Sequence, residues 1–265
     1  MYDKNFYDSQ KEISLKSAEQ IIPILFSKIY RPNSVIDVGC GKGGWLHVVK
    51  TLGVTDILGI DGSYVELSDA FISSDEFRPT DLENRIQLDR RFDMAMSLEV
   101  AEHLHPSRAA TFVHDLTLLS DLILFSAAQP GQTGENHINE NWIEYWALLF
   151  RRHGYIAYDA VRPLISSLDM VDHVYLQNIV IFVKNSSPLK TLIPECHNAQ
   201  SRPLSYILPH MYLYSARRPS DRLDMLQSDL NYYYALRHAY VNNLNIDPDS
   251  PNIKHYGTLN SIDNL

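Results

Sequence analysis

At residues 35–45 the chain reads Val35-Ile-Asp-Val-Gly-Cys-Gly-Lys-Gly-Gly-Trp45. A short apolar run leads into four glycines, and an apolar-periodic segment follows them, which predicts a strand, a tight turn and a helix. Glycine permits the positive φ that such a turn needs, and its missing Cβ lets the backbone approach a bound nucleotide closely. The turn is therefore a predicted ligand site, with Gly39, Cys40 and Gly41 as contact residues.

Composition limits the class of protein. The chain has 265 residues, 45% of them apolar, and a formal net charge of -9, so it can bury a full core. The acidic balance, without a Lys/Arg-rich block, argues against a nucleic-acid partner, whose binding depends on neutralising phosphates. No leader pattern and no run of about eighteen apolar residues occurs, and Cys40 and Cys196 are too few for a disulfide framework. We expect a cytoplasmic protein with no membrane span.

The pattern along the chain predicts an α/β fold. A helix is predicted over residues 14–30, ended by Pro32. Apolar runs rich in β-branched residues follow at 35–38, 57–60, 92–98, 122–126 and 179–183, and helical patterns between most of them predict parallel βαβ units. Residues 162–173 are too few for an ordinary crossover helix between the runs at 155–161 and 177–184. One antiparallel strand is expected there.

The character of the sequence changes near residue 185. We divide the chain into a domain at 1–185, which begins with a helical strap, and a Tyr-rich C-terminal extension at 186–265. One long helix is predicted in the extension, from about Pro219 to Asn245. Its apolar stripe is expected to pack on its own domain or on a second subunit, which would make a homodimer.

Acidic side chains lie near the ends of three predicted strands: Asp37 two residues before the first glycine, Asp61 after the second strand and Asp81 after a short third strand near residue 78. Gly39-x-Gly41-x-x-Gly44, with Asp61 further on, matches a dinucleotide fingerprint, which keeps a nicotinamide-dependent oxidoreductase as an alternative. Asp37, however, suits a ligand's ammonium group, which nicotinamide cofactors lack. Asp61 suits a ribose diol, and Asp81 suits an adenine amino group. These groups are expected to converge at the carboxyl edge of the sheet, where open α/β sheets bind ligands.

The chain resembles the class I S-adenosylmethionine-dependent methyltransferases over about residues 14–184. The resemblance is carried by Val35-Ile-Asp-Val-Gly-Cys-Gly41, Gly59-Ile-Asp61, Asp81-Leu82 and Ser97-Leu-Glu-Val-Ala-Glu-His103. It implies a Rossmann-like sheet of seven strands, mostly parallel with one reversed strand, and helices on both faces. It also implies S-adenosylmethionine as cofactor. The further cofactor contacts on these motifs are Gly62, Leu82, Ser97, Leu98 and Glu99.

Two histidines are candidates for the chemistry. Methyl transfer to a hydroxyl needs an aligned acceptor and a base, and imidazole titrates near neutrality. His137 is favoured, although an exposed loop histidine is the alternative; His103 is the second candidate, with cofactor positioning as its alternative. Asn139 and Glu140 are predicted to contact substrate hydroxyls. No ligand spacing requires a metal ion, and we expect none.

The region around His137 sharpens the expected reaction. Gly134-Glu-Asn-His137 and the residues up to Trp146 look like a loop and helix of bacterial small-molecule and glycan O-methyltransferases. The expected function is O-methylation of a small polar acceptor, such as a sugar or nucleotide-sugar of a surface glycan. A non-catalytic scaffold that keeps the cofactor fold remains a further alternative.

Overall fold

A single seven-stranded sheet organises the chain. The computed structural model describes residues 4–199, 203–208 and 223–250. The strands are β1 (Ser34–Val38), β2 (Asp56–Asp61), β3 (Phe77–Pro79), β4 (Met94–Leu98), β5 (Leu122–Ser126), β6 (Tyr155–Tyr158) and β7 (Val180–Lys184). They lie in the order β3-β2-β1-β4-β5-β7-β6.

One strand of the sheet is reversed. The pairs β1–β2, β1–β4, β2–β3 and β4–β5 are parallel, whereas β7 runs antiparallel to both β5 and β6. This confirms the predicted sheet and its single antiparallel strand. The connection from β6 to β7 is not a plain hairpin, because it contains two short helices, Arg162–Ile165 and His173–Asn178.

Helices cover both faces of the sheet. In chain order they are α1 (Lys4–Lys28), α2 (Gly44–Thr51), α3 (Ala109–Leu119), α4 (Ile143–Arg152), α5 (Arg162–Ile165), α6 (His173–Asn178) and α7 (Leu223–Val241). The predicted start of the first helix at residue 14 is wrong: α1 begins at Lys4 and continues through Pro23. In the ranges that the structure describes, no helix is both long and apolar enough to cross a membrane.

The two faces form separate hydrophobic cores. Ile36 and Val38 of β1 pack on one side with residues of α3, α4 and α7, including Phe112 and Trp146. Val35 of β1 and Met94 of β4 face the other side, with residues of α1, α2 and α6. Alternate side chains of a strand point to opposite faces, so each central strand contributes to both cores.

The C-terminal helix packs on its own chain. Arg151 of α4 donates hydrogen bonds to the carbonyl oxygens of Ala239 and Tyr240 at the end of α7 and of Leu244 just beyond it. The Tyr240 hydroxyl accepts one from the backbone amide of Ala157 in β6, at 3.2 Å. Ala235, Leu236 and Ala239 of α7 are buried within the chain, but Tyr234 and Val241, which belong to the predicted apolar stripe, are exposed. The expected packing of the stripe is therefore wrong for these two residues, and the side chains of 223–231 lie outside the described residues. The domain boundary at residue 185 stays a prediction.

The docking of α7 generates a stability prediction. Replacing Tyr240, which is 2% exposed, with alanine removes a large buried ring and should lower the free energy of unfolding by about 3–5 kcal/mol. Tyr234→Ala is the matched control, because Tyr234 is 49% exposed and its loss should change stability by about 0.5 kcal/mol or less. Urea unfolding measures both. Equal effects of the two substitutions would contradict the described packing.

Candidate functional site

The glycine turn after β1 has one open position. Gly39 and Gly41 have φ values of 84° and 51°, in the region that favours glycine. A Cβ on Gly39 would lie 2.3 Å from Cγ2 of Val100, so this glycine allows close packing. A Cβ on Gly41 would meet no atom within 4 Å. Gly41 therefore faces open space, where a ligand can approach the backbone.

Asp61 joins this turn to the end of β2. Its Oδ2 accepts a hydrogen bond from the Gly41 amide at 2.8 Å. Its Oδ1 accepts from the Gly62 amide at 2.6 Å and from the Tyr64 hydroxyl at 2.7 Å. Because β1 and β2 are parallel, their carboxyl ends meet at the same sheet edge. The carboxylate is thus fixed by backbone amides and binds a hydroxyl group.

Asp37 lies beneath the turn with its carboxyl group buried. It is 2% exposed. Burial, with a smaller contribution from the charge of Asp61, raises the pKa of Asp37 to about 8. A cationic group brought to this position would favour the ionised carboxylate.

The remaining predicted cofactor contacts surround this edge. Asp81 follows β3, and its exposed carboxylate accepts hydrogen bonds from the Glu83 amide and the Asn84 side chain. Cys40, Leu82 and Leu98 are buried apolar residues. The hydroxyl of Ser97 is buried and has no partner among the described residues. The predicted contacts therefore converge on one edge of the sheet.

Glu99 is held by two amide side chains that the sequence reasoning missed. It directly follows β4 and has a φ of 54°, which is uncommon for a residue with a Cβ. Its carboxylate accepts hydrogen bonds from Gln132 Nε2 at 3.0 Å and from Asn178 Nδ2 at 3.2 Å. Asn178 Nδ2 also donates to Gln132 Oε1 at 2.8 Å. Burial raises the pKa of Glu99.

The two candidate histidines come together. The backbone amides of Ile138 and Asn139 both donate to the carbonyl oxygen of Glu102, at 3.0 Å. These bonds hold the loop of His137 against the turn that contains His103. The two imidazole rings lie 4.9 Å apart, edge to face. Both histidines thus occupy the carboxyl edge of the sheet, as the sequence predicts.

Glu140 orients one of these rings. It accepts hydrogen bonds from the backbone amides of Gly131 at 2.8 Å and Thr133 at 2.6 Å, and its Oε1 lies 3.0 Å from Nδ1 of His137. An ionised carboxylate only accepts, so we assign the proton of His137 to Nδ1. In the neutral form of the ring, the lone pair is then on Nε2.

His103 and Asn139 complete the polar environment of the loop. Burial, and then the charge of His137, lowers the pKa of His103 to about 4, so its imidazole is neutral at neutral pH. Asn139 is buried; its Nδ2 donates to the carbonyl oxygen of Ala101 at 3.2 Å and its Oδ1 accepts from Asn141 Nδ2 at 2.8 Å. Asn139 and Glu140, predicted as substrate contacts, therefore hold the loop in place.

Glu102 is the least expected group of the site. As an acid at the start of a helix it could be solvated, but in the structure it is 0% exposed. Neither carboxyl oxygen makes a hydrogen bond of good geometry among the described residues, although the Ala128 amide and the Glu99 carboxyl group lie near it. Burial and then the charge of Glu99 hold the pKa of Glu102 well above its usual range. Its ligand atom and those of His103 and His137 lie within 4.8 Å of one another.

Comparison with known proteins gives a family match. The model of a family described as "Methyltransferase domain" matches residues 10–166. No curated protein matches the chain. Among solved structures, the chain is similar to the methyltransferase domain of bacterial CtHen1-C, with 18% identity, 66% of this chain and 100% of that chain covered, and a TM-score of 0.49.

Two further solved structures are similar to the chain. One is the plantazolicin methyltransferase BpumL, solved with a monoazolic desmethylPZN analog and SAH, with 16% identity, 68% and 88% of the two chains covered, and a TM-score of 0.48. The other is the magnesium protoporphyrin IX methyltransferase from Synechocystis PCC 6803 with bound SAM, with 18% identity, 69% and 86% covered, and a TM-score of 0.44.

The burial of Asp37 generates a pH prediction. A carboxyl whose pKa is raised on folding contributes stability below its unfolded pKa and loses that contribution as the pH rises to the folded pKa. The pKa of Asp37 is 3.8 in the unfolded chain and about 8 in the folded protein. The ligand-free protein should therefore lose stability relative to Asp37→Asn between pH 4 and 8. The loss should be at most about 1.4 kcal/mol per pH unit. Urea unfolding at several pH values measures it, and a pH-independent difference between the two proteins would contradict it.

Proposed function

Since this chain belongs to the methyltransferase-domain family, we propose that it methylates a hydroxyl group on a small polar acceptor, such as a sugar or nucleotide-sugar. It is an S-adenosylmethionine-dependent methyltransferase of the class I fold. The nicotinamide-dependent alternative therefore has no support beyond its glycine pattern and Asp61. The proposed class of acceptor is inferred from the residues around His137 and His103, next to the predicted cofactor site.

The residues of the turn fit S-adenosylmethionine. Gly41 offers a backbone face that a Cβ would fill, and Asp61 already binds one hydroxyl donor, that of Tyr64, as it would bind the ribose. The buried carboxyl of Asp37 suits the ammonium group. When bound, the cofactor supplies a methyl group that the acceptor oxygen takes, while the electron pair of the broken carbon–sulfur bond stays on sulfur.

The imidazole pair carries the proposal of hydroxyl methylation. A hydroxyl oxygen becomes a good nucleophile only as its proton is removed or its charge is stabilised. The ring of His137, oriented by Glu140, can accept the hydroxyl proton at Nε2. The neutral ring of His103 lies beside it, and both rings are next to the predicted cofactor residues at the carboxyl edge of the sheet. Val100 packs directly on Gly39 and so keeps the histidine turn next to the glycine turn. We infer that His137 and His103 are the catalytic residues.

The surroundings of the pair favour a small polar acceptor. Glu99, Gln132 and Asn178 form a hydrogen-bonded polar network near His137, which suits a polar rather than an apolar acceptor. The net charge of -9 disfavours a long polyanionic acceptor. A panel of sugars and nucleotide-sugars, incubated with methyl-labelled donor, tests the acceptor class. Label only on amine-bearing acceptors would contradict the proposal.

The open face of Gly41 generates a binding prediction. Gly41→Ala should weaken binding of S-adenosylhomocysteine at least about tenfold, because the new methyl group takes ligand space, while the left-handed backbone costs about 1–2 kcal/mol of stability. Gly154→Ala is matched to it: Gly154 has a φ of 78° and nothing within 4 Å of a Cβ. Calorimetry should show full affinity for this control. Equal affinities of both variants would contradict the assignment of the space beside Gly41 to the cofactor.

The role of His137 generates a kinetic prediction. His137→Ala should lower turnover about a hundredfold or more, since it removes the group that activates the hydroxyl. Affinity for S-adenosylhomocysteine should stay within about twofold, because the ring lies outside the glycine turn. His105→Ala, on an exposed ring in the same region, is the control for general loop damage. Unchanged turnover in His137→Ala would refute the catalytic assignment.

A further inference from the structure

Tyr64 binds the part of Asp61 that a ribose would need. Its hydroxyl donates a hydrogen bond to Oδ1 of Asp61 at 2.7 Å, and the amide of Gly62 donates to the same oxygen at 2.6 Å. Among the residues that the structure describes, Oδ2 accepts one bond, from the amide of Gly41 at 2.8 Å. A carboxylate oxygen has two lone pairs. Oδ1 is therefore fully used, and Oδ2 can accept one further bond.

A ribose diol can donate one hydrogen bond to each oxygen of a carboxylate. Such bonds are charge-assisted and stronger than bonds between neutral groups. At Asp61 one ribose hydroxyl can bind Oδ2, but the other needs a lone pair of Oδ1, and both are in use. The amide of Gly62 belongs to the main chain directly after β2, so it cannot turn away without moving the backbone. The hydroxyl of Tyr64 is therefore the group that the second ribose hydroxyl has to replace.

The side chain of Tyr64 is placed so that it can move aside. It is 67% exposed, and exposed side chains change rotamer within picoseconds to nanoseconds. Its ring lies against Gly62, where a Cβ would overlap it. Gly62 has no positive φ that would itself require glycine, so the missing side chain at this position serves to make room for the ring.

We propose that Tyr64 competes with the cofactor ribose for Asp61 and thereby sets the affinity of the protein for S-adenosylmethionine and S-adenosylhomocysteine. This deepens the cofactor half of the proposed function and rests on it. A competitor and a supporting residue have opposite effects. If Tyr64 only held the Asp61 carboxylate in position, loss of its hydroxyl would weaken binding of the ribose. Because a competing hydroxyl has to be displaced before the second ribose bond forms, its loss strengthens binding.

Calorimetric titration of the full chain with S-adenosylhomocysteine tests the proposal without any acceptor. Tyr64→Phe keeps the ring and removes only the hydroxyl, so it should tighten binding about three- to tenfold, the range that corresponds to one hydrogen bond. Tyr234→Phe makes the same substitution at another exposed tyrosine, on α7, and should leave the affinity within about twofold. Unchanged or weaker binding by Tyr64→Phe would overturn the proposal.

A double-mutant cycle with Asp61→Ala shows whether the effect passes through this carboxylate. Without the carboxylate there is nothing to compete for, so adding Tyr64→Phe to Asp61→Ala should change the affinity by less than about twofold. A gain as large as that in the wild-type background would overturn the proposal. The outcomes also separate competition from O-methylation. If no hydroxyl acceptor is methylated, O-methylation is refuted and competition at Asp61 is unaffected. If S-adenosylhomocysteine binds wild type and Tyr64→Phe equally, competition is refuted and O-methylation is unaffected.

Discussion

The parallel pairing of β1 with β2 and β4 is the constraint on which the site depends. In this register Asp37 lies beside Gly59 on one side and Met96 on the other, so the three carboxyl ends finish together. The glycine turn, Asp61 and the segment that begins at Glu99 then meet without any long-range loop. The contact between Val100 and Gly39 holds the segment that begins at Glu99 against the glycine turn. The predicted cofactor residues and the candidate catalytic histidines are therefore adjacent because backbone hydrogen bonds align the strands that carry them.

Much of the fold could be predicted from the sequence because its signals are local. The apolar runs of the central strands and the short link before β7 follow from periodicity and chain length. The predicted first helix begins ten residues later than α1, because residues 4–13 contain few apolar residues and give no periodic signal. The helices between β6 and β7 are short, and single turns such as Arg162–Ile165 leave almost no periodic signal.

The site was predictable in part for the same reason. Asp37 and Asp61 lie near the carboxyl ends of β1 and β2, and His103 lies in the turn after β4, so their position at the sheet edge follows from the fold. Gln132 and Asn178 reach Glu99 from distant parts of the chain, and no local pattern predicts such contacts. The burial of Glu102 depends on the loop that covers it through bonds from Ile138 and Asn139. A buried polar group such as the Glu102 carboxyl reduces stability, and such groups cluster at functional sites.

The central claim is that the carboxyl edge of this sheet binds S-adenosylmethionine. Calorimetric titration with S-adenosylmethionine, S-adenosylhomocysteine and NAD, on wild type and on Asp61→Ala, tests it most directly. We expect the first two to bind and NAD not to bind, and we expect the substitution to weaken binding about 10–100-fold through the loss of charge-assisted hydrogen bonds. Binding of NAD without binding of the other two would contradict the account.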